Sequence, residues 1–241
     1  MIAPSGNAPR RTASLPTMIL VVFAAYSAAL IITEWLTSQA YVRHFVTDIV
    51  GPVPLYAINT SLSVFLLWAT ALLFTVAAQL PTPQPGFAVP RWWLYSQAAV
   101  FTYLGADDRF LIHETVAEML DIGDHYVLLG VAMAETLLLA VAFRNGWLKG
   151  ATLIALGVAS VLFAAMLGVD ALAPHDLRLR LSIEDVLKTW GCLMFLRFGW
   201  LMLFSLVDQL AVTPATTRPA SVTEHRNTPL GRTSSCTGVP S

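Results

Sequence analysis

Six long apolar stretches occupy most of the chain and leave it few possible folds. They are residues 17–36, 54–80, 91–104, 125–143, 150–172 and 183–210. A helix needs about 20 mostly apolar residues to cross a bilayer, and only helices or closed barrels satisfy their backbone hydrogen bonds within lipid. The pattern therefore predicts an all-α fold, a polytopic membrane helix bundle with about six transmembrane helices over residues 15–211.

The composition agrees with lipid as the main solvent of the chain. Only 12% of the 241 residues are charged, against about 25% in soluble domains. The net charge of −1 argues against a nucleic-acid partner, which calls for a basic surface, so the expected partner is the lipid bilayer. Two polar segments flank the bundle. Residues 1–14 are expected to be a short cytoplasmic segment, and residues 212–241, rich in Thr, Ser, Pro and Arg, a disordered cytoplasmic tail.

Lysine and arginine in the short loops predict the orientation, because cytoplasmic loops carry an excess of these residues. If the N-terminus is cytoplasmic, the cytoplasmic side contains the larger set of basic residues: Arg10, Arg11, Arg91, Arg144, Lys149, Arg218, Arg226 and Arg232. The opposite side holds Arg43, Arg178 and Arg180. An even number of spans then places both termini in the cytoplasm, with the chain in a bacterial inner (plasma) membrane.

On this topology most acidic residues and histidines gather at the outer end of the bundle. The exceptions among the 15 acidic residues are Glu135, Asp208 and Glu224. Glu34, Asp107 and Asp108 lie about 24–25 Å along their helices at ~1.5 Å per residue, within a hydrocarbon core about 30 Å thick. Asn59, counted from the outer end of the second apolar stretch, lies at a similar depth. Because an acid at the centre of a span costs about 2.5–3.5 kcal/mol, a shared polar cavity is favoured over separate snorkelling to the interface.

The third helix has the densest set of charged residues, in and after the string 107–114. If the helix continues at about 100° per residue, Asp107, Glu114, Glu118 and Asp121 line one face. Asp107 and Glu114 would then be about 10.5 Å apart, so a second helix would have to complete any shared metal site. Glu118 and Asp121 are interpreted as solvating the emerging helix end.

The start of the sixth helix is the second polar element. Ser182, followed three residues later by Asp185, resembles a capping box, and Glu184 and Lys188 have the spacing of a helical ion pair. In a functional interpretation, Glu184 or Asp185 faces Asp107 or Glu114 across the bundle, and Lys188 neutralises part of their charge. Both interpretations remain open at this stage.

Deeper in the membrane, Glu135 and Arg197 are each isolated in apolar surroundings. Their depths below the outer helix ends are about 16 and 21 Å at ~1.5 Å per residue. We therefore expect them to form a structural ion pair between the fourth and sixth spans.

Two motifs resemble those of a known group of sequences. The string Asp107-Asp108-Arg109-Phe110-Leu111-Ile112-His113-Glu114, with Glu184-Asp185-Val186-Leu187-Lys188 downstream, is similar to a motif pair in uncharacterised bacterial multi-pass membrane proteins. The resemblance implies the six-span layout and brings no known activity with it.

Three functions remain open. The first is a metal-dependent enzyme or metal-binding protein. Its candidate catalytic residues are Asp107, Asp108, His113, Glu114, Glu184 and Lys188. Its candidate metal ligands are Asp107, His113, Glu114, Glu184 and Asp185. Carboxylate and imidazole ligands suit a divalent metal, which would activate a bound water.

The second function is a proton- or ion-coupled transporter, because intramembrane acids with a nearby His and Lys are the parts of proton relays. The third is a non-catalytic scaffold or accessory subunit, whose charges serve helix packing. The sequence ranks the metal site slightly above the transporter.

Overall fold

The computed structural model describes residues 17–46, 57–81, 89–174 and 177–212. Within these ranges the chain forms eight α-helices and no β-strand, which confirms the all-α prediction. The helices are α1 (Thr17–Leu36), α2 (Gln39–Val46), α3 (Ile58–Gln79), α4 (Arg91–Phe110), α5 (Ile112–Leu120), α6 (Asp124–Arg144), α7 (Ala151–Leu172) and α8 (Arg180–Val212). The predicted N-terminal segment and the tail from residue 213 onward lie outside the described residues.

Five of these helices are long and apolar enough to cross a membrane. They are Thr17–Leu36, Ile58–Gln79, Tyr126–Arg144, Ala151–Val169 and Arg180–Ala211. The sixth predicted span corresponds to α4, which has 20 residues but does not meet the same apolar criterion within the described chain. Polar residues such as Arg91, Gln97 and Asp107 are the reason, and most of the α4 core face is buried against α3.

The centre of the molecule is formed by α3, α4, α7 and α8. The long helix α8 packs along both α3 and α7, and α3 packs along α4. Glycines allow two of these close approaches: a Cβ on Gly105 would lie 2.5 Å from the Trp68 ring, and one on Gly191 would lie 2.6 Å from Phe163. Each of these two contacts fixes the position of one helix along the axis of its neighbour.

An aromatic core fills one half of this unit. Phe74 stacks on Phe101 with ring centroids 5.8 Å apart, and contacts Phe198 at 5.2 Å. Trp93 lies edge-on to Phe74, and its indole N–H donates to the Leu138 carbonyl oxygen of α6 over 2.9 Å. These side chains bury large areas of apolar surface in a dry interior.

The charged string does not continue as one helix. Helix α4 ends at Phe110, Leu111 has a left-handed backbone with φ of 50°, and α5 begins at Ile112. The predicted stripe of Asp107, Glu114, Glu118 and Asp121 on one helix face is therefore wrong. The corner at Leu111 turns α5 away from the axis of α4, so the four acids no longer share a line.

Helix α6 lies at the edge of the bundle and contacts α5 and α4, with no contact to α8 among the described residues. The predicted ion pair between Glu135 and Arg197 is accordingly wrong. Glu135 instead accepts a hydrogen bond from the Gln97 side chain of α4 over 3.1 Å. Compatible depths along two helices do not decide which helices are neighbours.

Candidate functional site

Buried polar side chains gather at one end of the bundle, where α3 and α8 begin and α4 ends. Seven residues form this group, called here the polar cluster: Tyr26, Asn59, Ser63, Asp108, Asp185, Lys188 and Thr189. They come from α1, α3, α4 and α8. Asn59, Ser63 and Thr189 are fully buried, and Asp185 is 5% exposed, so partners within the protein replace most of their contact with water.

Asn59 connects three helices within the cluster. Its Nδ2 donates to Asp185 Oδ1 over 2.8 Å, and its Oδ1 accepts a hydrogen bond from the Tyr26 hydroxyl over 3.1 Å. The Thr189 hydroxyl also lies 2.8 Å from Asn59 Oδ1. Because an amide both donates and accepts, this single side chain holds α1, α3 and α8 together at one level.

A part-buried ion pair joins α4 to α8, with the Lys188 and Asp108 side chains 22% and 15% exposed. The Lys188 ammonium bonds to Asp108 Oδ1, and the Ser63 hydroxyl bonds to Asp108 Oδ2. Both carboxylate oxygens of Asp108 are thereby satisfied by α3 and α8. Since Lys188 is directed to Asp108, the predicted helical ion pair with Glu184 is wrong, and Glu184 instead faces Arg180 at 3.8 Å.

Asp185 differs from Asp108 in one respect. Its Oδ1 accepts the Asn59 hydrogen bond, whereas its Oδ2 is buried and has no hydrogen-bond partner among the described residues. An unsatisfied buried carboxylate oxygen is costly, so it identifies a position where a further donor or a cation would be stabilised.

Asp107 and His113 form a second unit beside the cluster. Asp107 Oδ1 accepts the backbone N–H of His113 over 2.7 Å, and Asp107 Oδ2 lies 2.8 Å from the His113 Nδ1. The backbone bend at Leu111 produces this contact, since a continuous helix would separate the two side chains. The His113 side chain is 16% exposed, so the pair lies between the buried cluster and the surface.

Glu34 stabilises the start of α8. Its two carboxylate oxygens accept the backbone N–H groups of Leu179 and Ser182, each over 2.9 Å. The first N–H groups of a helix lack intrahelical partners, and a negative charge there is favoured by the helix dipole. The expected capping box of Ser182 and Asp185 is therefore wrong, because α8 begins earlier, at Arg180, and a residue of α1 supplies the cap.

The predicted site residues are divided among several pairs. Asp107 meets His113, Asp108 meets Lys188, Asp185 meets Asn59, and Glu184 meets Arg180. Glu114 is exposed on α5. Asp48, His175 and Asp176 lie outside the described residues.

This division bears on the expected metal site. Within the described ranges no group of three or more His, Cys, Asp or Glu side chains is arranged to hold a metal ion. The candidate ligands Asp107, His113, Glu114, Glu184 and Asp185 are therefore not brought together, and the geometry gives no support to a shared divalent-metal site there.

Three members of the cluster were not predicted from the sequence: Tyr26, Ser63 and Thr189. A signal for two of them was available, since Ser63 and Thr189 each follow a recognised polar residue, Asn59 and Asp185, by four positions on the same helix face. Tyr26 had no comparable signal, because the residues one helical turn away from it on α1 are all apolar: Val22, Phe23, Ala29 and Leu30.

Comparison with known proteins gives one match. The model of a protein family described as "Domain of unknown function (DUF8692)" matches residues 15–205, which is more than half of the chain, so the protein belongs to this family. No curated protein and no solved structure matches the chain. The match includes the polar cluster and all eight helices except the last turns of α8.

Proposed function

We propose that this member of a family of unknown function is a proton-coupled multi-pass protein of the bacterial inner membrane, with the polar cluster as its proton-binding site. The proposal rests on one observation above the others. A buried carboxylate, Asp185, has an oxygen without a hydrogen-bond partner among the described residues, in a site that already contains a paired lysine and aspartate.

The membrane topology is part of the proposal. Helix α4, with 20 residues, would cross the membrane as a sixth span beside the five apolar helices. Large apolar side chains are exposed along α1, α6 and α7, as expected for surfaces that face lipid. The excess of Lys and Arg in the loops that are predicted to be cytoplasmic supports an orientation with both termini in the cytoplasm.

The charges of the cluster favour uptake of a cation. Asp108 and Asp185 are both acidic, and Lys188 supplies one positive charge between them. With Asp108 bonded to Lys188, the second carboxylate leaves one negative charge uncompensated in a medium of low polarity. A proton on Asp185 removes that charge without any movement of the helices.

A structural ion pair would have a different hydrogen-bond pattern. Buried pairs that only hold helices together are stable when their remaining oxygens are satisfied, as both oxygens of Asp108 are. Asp185 Oδ2 does not follow this pattern. Protonation at that oxygen would remove a charge that burial disfavours, so the site is better suited to two protonation states than to one.

The pair of Asp107 and His113 offers a route to the surface. His113 contacts Asp107 through Nδ1, which leaves Nε2 as the other ring nitrogen able to exchange a proton. Asp107 directly precedes Asp108 in α4, so the pair is next to the buried site. A relay from His113 through Asp107 towards the cluster uses groups that proton pathways commonly contain.

Proton uptake into liposomes tests the proposal. Purified protein is reconstituted into vesicles that contain a pH-sensitive dye, and a pH gradient is imposed. We expect the wild type to collapse the gradient faster than empty vesicles, and Asp185→Asn to reduce the rate at least about tenfold, as for removal of a proton-transfer group. The near-isosteric change preserves an acceptor for Asn59, which allows the fold to be retained.

Glu184→Gln is the matched control, because Glu184 is adjacent in sequence and faces Arg180 instead of the cluster. It should transport at the wild-type rate. Uptake by Asp185→Asn at the wild-type rate, or no difference between wild-type and empty vesicles, would contradict the proposal. A rate that depends on Na⁺ in the medium would replace the proton by sodium and equally overturn it.

A further inference from the structure

A second polar contact lies outside the polar cluster, between α4 and α6. There the Gln97 side chain of α4 donates to the Glu135 carboxylate of α6 over 3.1 Å. Gln97 and Asp108 are on the same helix, about 16 Å apart along its axis at ~1.5 Å per residue. The contact is therefore at a different level of the bundle from the polar cluster, and neither of its two residues belongs to that cluster.

Apolar side chains surround this contact on both helices. Gln97 is fully buried, and so is Trp93 one turn before it on α4. On α6, Met133 and Leu137 are 59% and 66% exposed, as expected of a helix surface that faces lipid. Glu135 is half-buried between these two environments, so it has little polar surrounding to stabilise a negative charge.

No positive charge pairs with Glu135 within the described residues. Helix α6 contacts only α4 and α5 there, and no ion pair includes Glu135. On α4 the charged residues nearest to Gln97 are Arg91 and Asp107, about 9 and 15 Å away along the helix at ~1.5 Å per residue. On α6 the nearest charged residue is Arg144, about 14 Å from Glu135 by the same rise.

The other ionisable side chains of the neighbouring helices face other partners. The Tyr95 hydroxyl of α4 accepts a hydrogen bond from Gln79 of α3, and Tyr103 lies beside Asp107. The ionisable residues of α5 lie beyond the end of α4 that bears Asp107: His113, Glu114 and Glu118. The charge of Glu135 is therefore controlled by its apolar surroundings and by the amide of Gln97.

The hydrogen-bonding capacity of that amide is only half used. Gln97 Nε2 donates to Glu135, whereas Gln97 Oε1 is buried and has no hydrogen-bond partner among the described residues. An ionised carboxylate has only acceptors, so it cannot supply the missing donor. A protonated carboxyl can donate its O–H to Oε1 while its carbonyl oxygen accepts from Nε2. Because a buried acceptor without a donor is unfavourable, the protonated form of Glu135 matches Gln97 better than the ionised form.

We propose that Glu135 is a second proton-binding site of this protein, which holds its proton at neutral pH in a ring of two hydrogen bonds with the Gln97 amide. The site goes beyond the function proposed above and does not depend on the polar cluster. Since Glu135 is at the lipid-facing surface of α6, its carboxyl group is also open to a hydrophobic reagent that arrives through the bilayer.

Labelling with dicyclohexylcarbodiimide tests the site. The acid transfers its proton to a carbodiimide nitrogen, its oxygen adds to the central carbon, and the adduct rearranges to a stable N-acylurea. Full-length protein in lipid nanodiscs is labelled at neutral and at alkaline pH, and the labelled peptides are quantified by mass spectrometry. At neutral pH we expect Glu135 to be labelled at least about tenfold more than Glu118, an exposed carboxylate of α5, since one pH unit changes the protonated fraction tenfold. The labelling should fall at alkaline pH.

Asp185→Asn is the matched control, because it removes the buried acid of the polar cluster and leaves the contact between α4 and α6 unchanged. It should be labelled at Glu135 as the wild type is. Labelling of Glu135 no higher than that of Glu118, or independent of pH, would overturn the proposal. Protection by Na⁺ at constant pH would assign the site to sodium and equally overturn it.

Infrared spectroscopy is an independent measurement that does not need access for a reagent. The carbonyl stretching band of a protonated carboxyl should be present in the wild type at neutral pH and smaller in Glu135→Gln. A glutamine at this position can form the same ring of two hydrogen bonds with Gln97, so the unfolding temperature should not fall. Equal carboxyl bands in the two proteins would show that Glu135 is ionised and would overturn the site.

Discussion

Both halves of α8 contribute buried side chains, but these side chains are held in different ways. In the first half, Ser182, Asp185 and Thr189 are inside the protein, and in the second half, Phe198 and Met202 are. The first group depends on hydrogen bonds and charges with fixed direction. The second depends on close apolar contact, which has no direction.

Within this one helix, the apolar half mainly contributes stability, and the polar half mainly contributes specificity. An apolar core tolerates exchange of one hydrophobic residue for another of similar volume. A buried polar cluster does not tolerate such exchange, because every buried donor or charge that lacks a partner lowers the free energy of unfolding. In the polar half of α8 a single substitution therefore removes a partner that no other residue replaces. The incomplete pairing of Asp185 is the most informative feature of this half.

Removal of the positive charge from the cluster and removal of an aromatic ring from the core should have the two largest effects. Lys188→Met leaves the part-buried Asp108 and the buried Asp185 without their cation, and we expect a loss of about 3–5 kcal/mol in stability. Phe198→Ala in the aromatic half should cost a similar ~3–5 kcal/mol through its cavity. Thermal unfolding of the detergent-solubilised protein measures both.

The two losses can be told apart by a second substitution. Asp108→Asn removes one of the unpaired charges and should recover part of the stability of Lys188→Met, but none of that of Phe198→Ala. Recovery in both backgrounds, or in neither, would show that the two halves of α8 do not differ in the way described.

The cap of α8 should have an intermediate effect. Glu34→Ala leaves the N–H groups of Leu179 and Ser182 without their acceptor, and we expect a loss of about 2 kcal/mol. Thr33→Ala is the control, because the Thr33 hydroxyl bonds only to Ala29 of its own helix, and it should change stability by less than ~0.5 kcal/mol. If the two variants unfold at the same temperature, the cap contributes little to the polar end.

The corner between α4 and α5 should have the smallest effect, with the opposite sign. Leu111 is 49% exposed and adopts φ of 50°, a conformation that costs a non-glycine residue about 1–2 kcal/mol. Leu111→Gly should therefore raise stability by about 1 kcal/mol. Met119→Gly, inside α5 and 81% exposed, should lower it by roughly 0.5–1 kcal/mol; stabilisation by both would point to general flexibility of α5.

Several features of the site followed from residue patterns alone. The common level of Asp107, Asp108 and Asn59 was predicted by counting residues along the apolar stretches, and in the structure Asn59 and Asp108 belong to one polar cluster at one end of the bundle. The same counting predicted that the start of α8 lies at this end of the bundle. Depth along a helix is set by a nearly constant rise per residue, which is why it could be predicted.

The partners could not be predicted in the same way. Glu34 lies at the expected depth, yet its role is to cap α8, because helix packing placed the free N–H groups of α8 beside it. Lys188 had Glu184 available on its own helix, yet it pairs with Asp108 of α4. Such choices depend on the rotation of each helix about its axis, for which a sequence with apolar residues on every face contains little information.

The sequence by itself determined that this chain is an all-helical protein with long apolar helices, and that its polar groups meet near one end of them. Length and apolarity decide this, since lipid leaves a backbone few alternatives. Only the tertiary structure decided which polar groups meet. The left-handed turn at Leu111 brought His113 onto Asp107, and the contacts among α3, α4 and α8 left Asp185 with one unsatisfied oxygen, because close packing of helices fixes which side chains can reach each other.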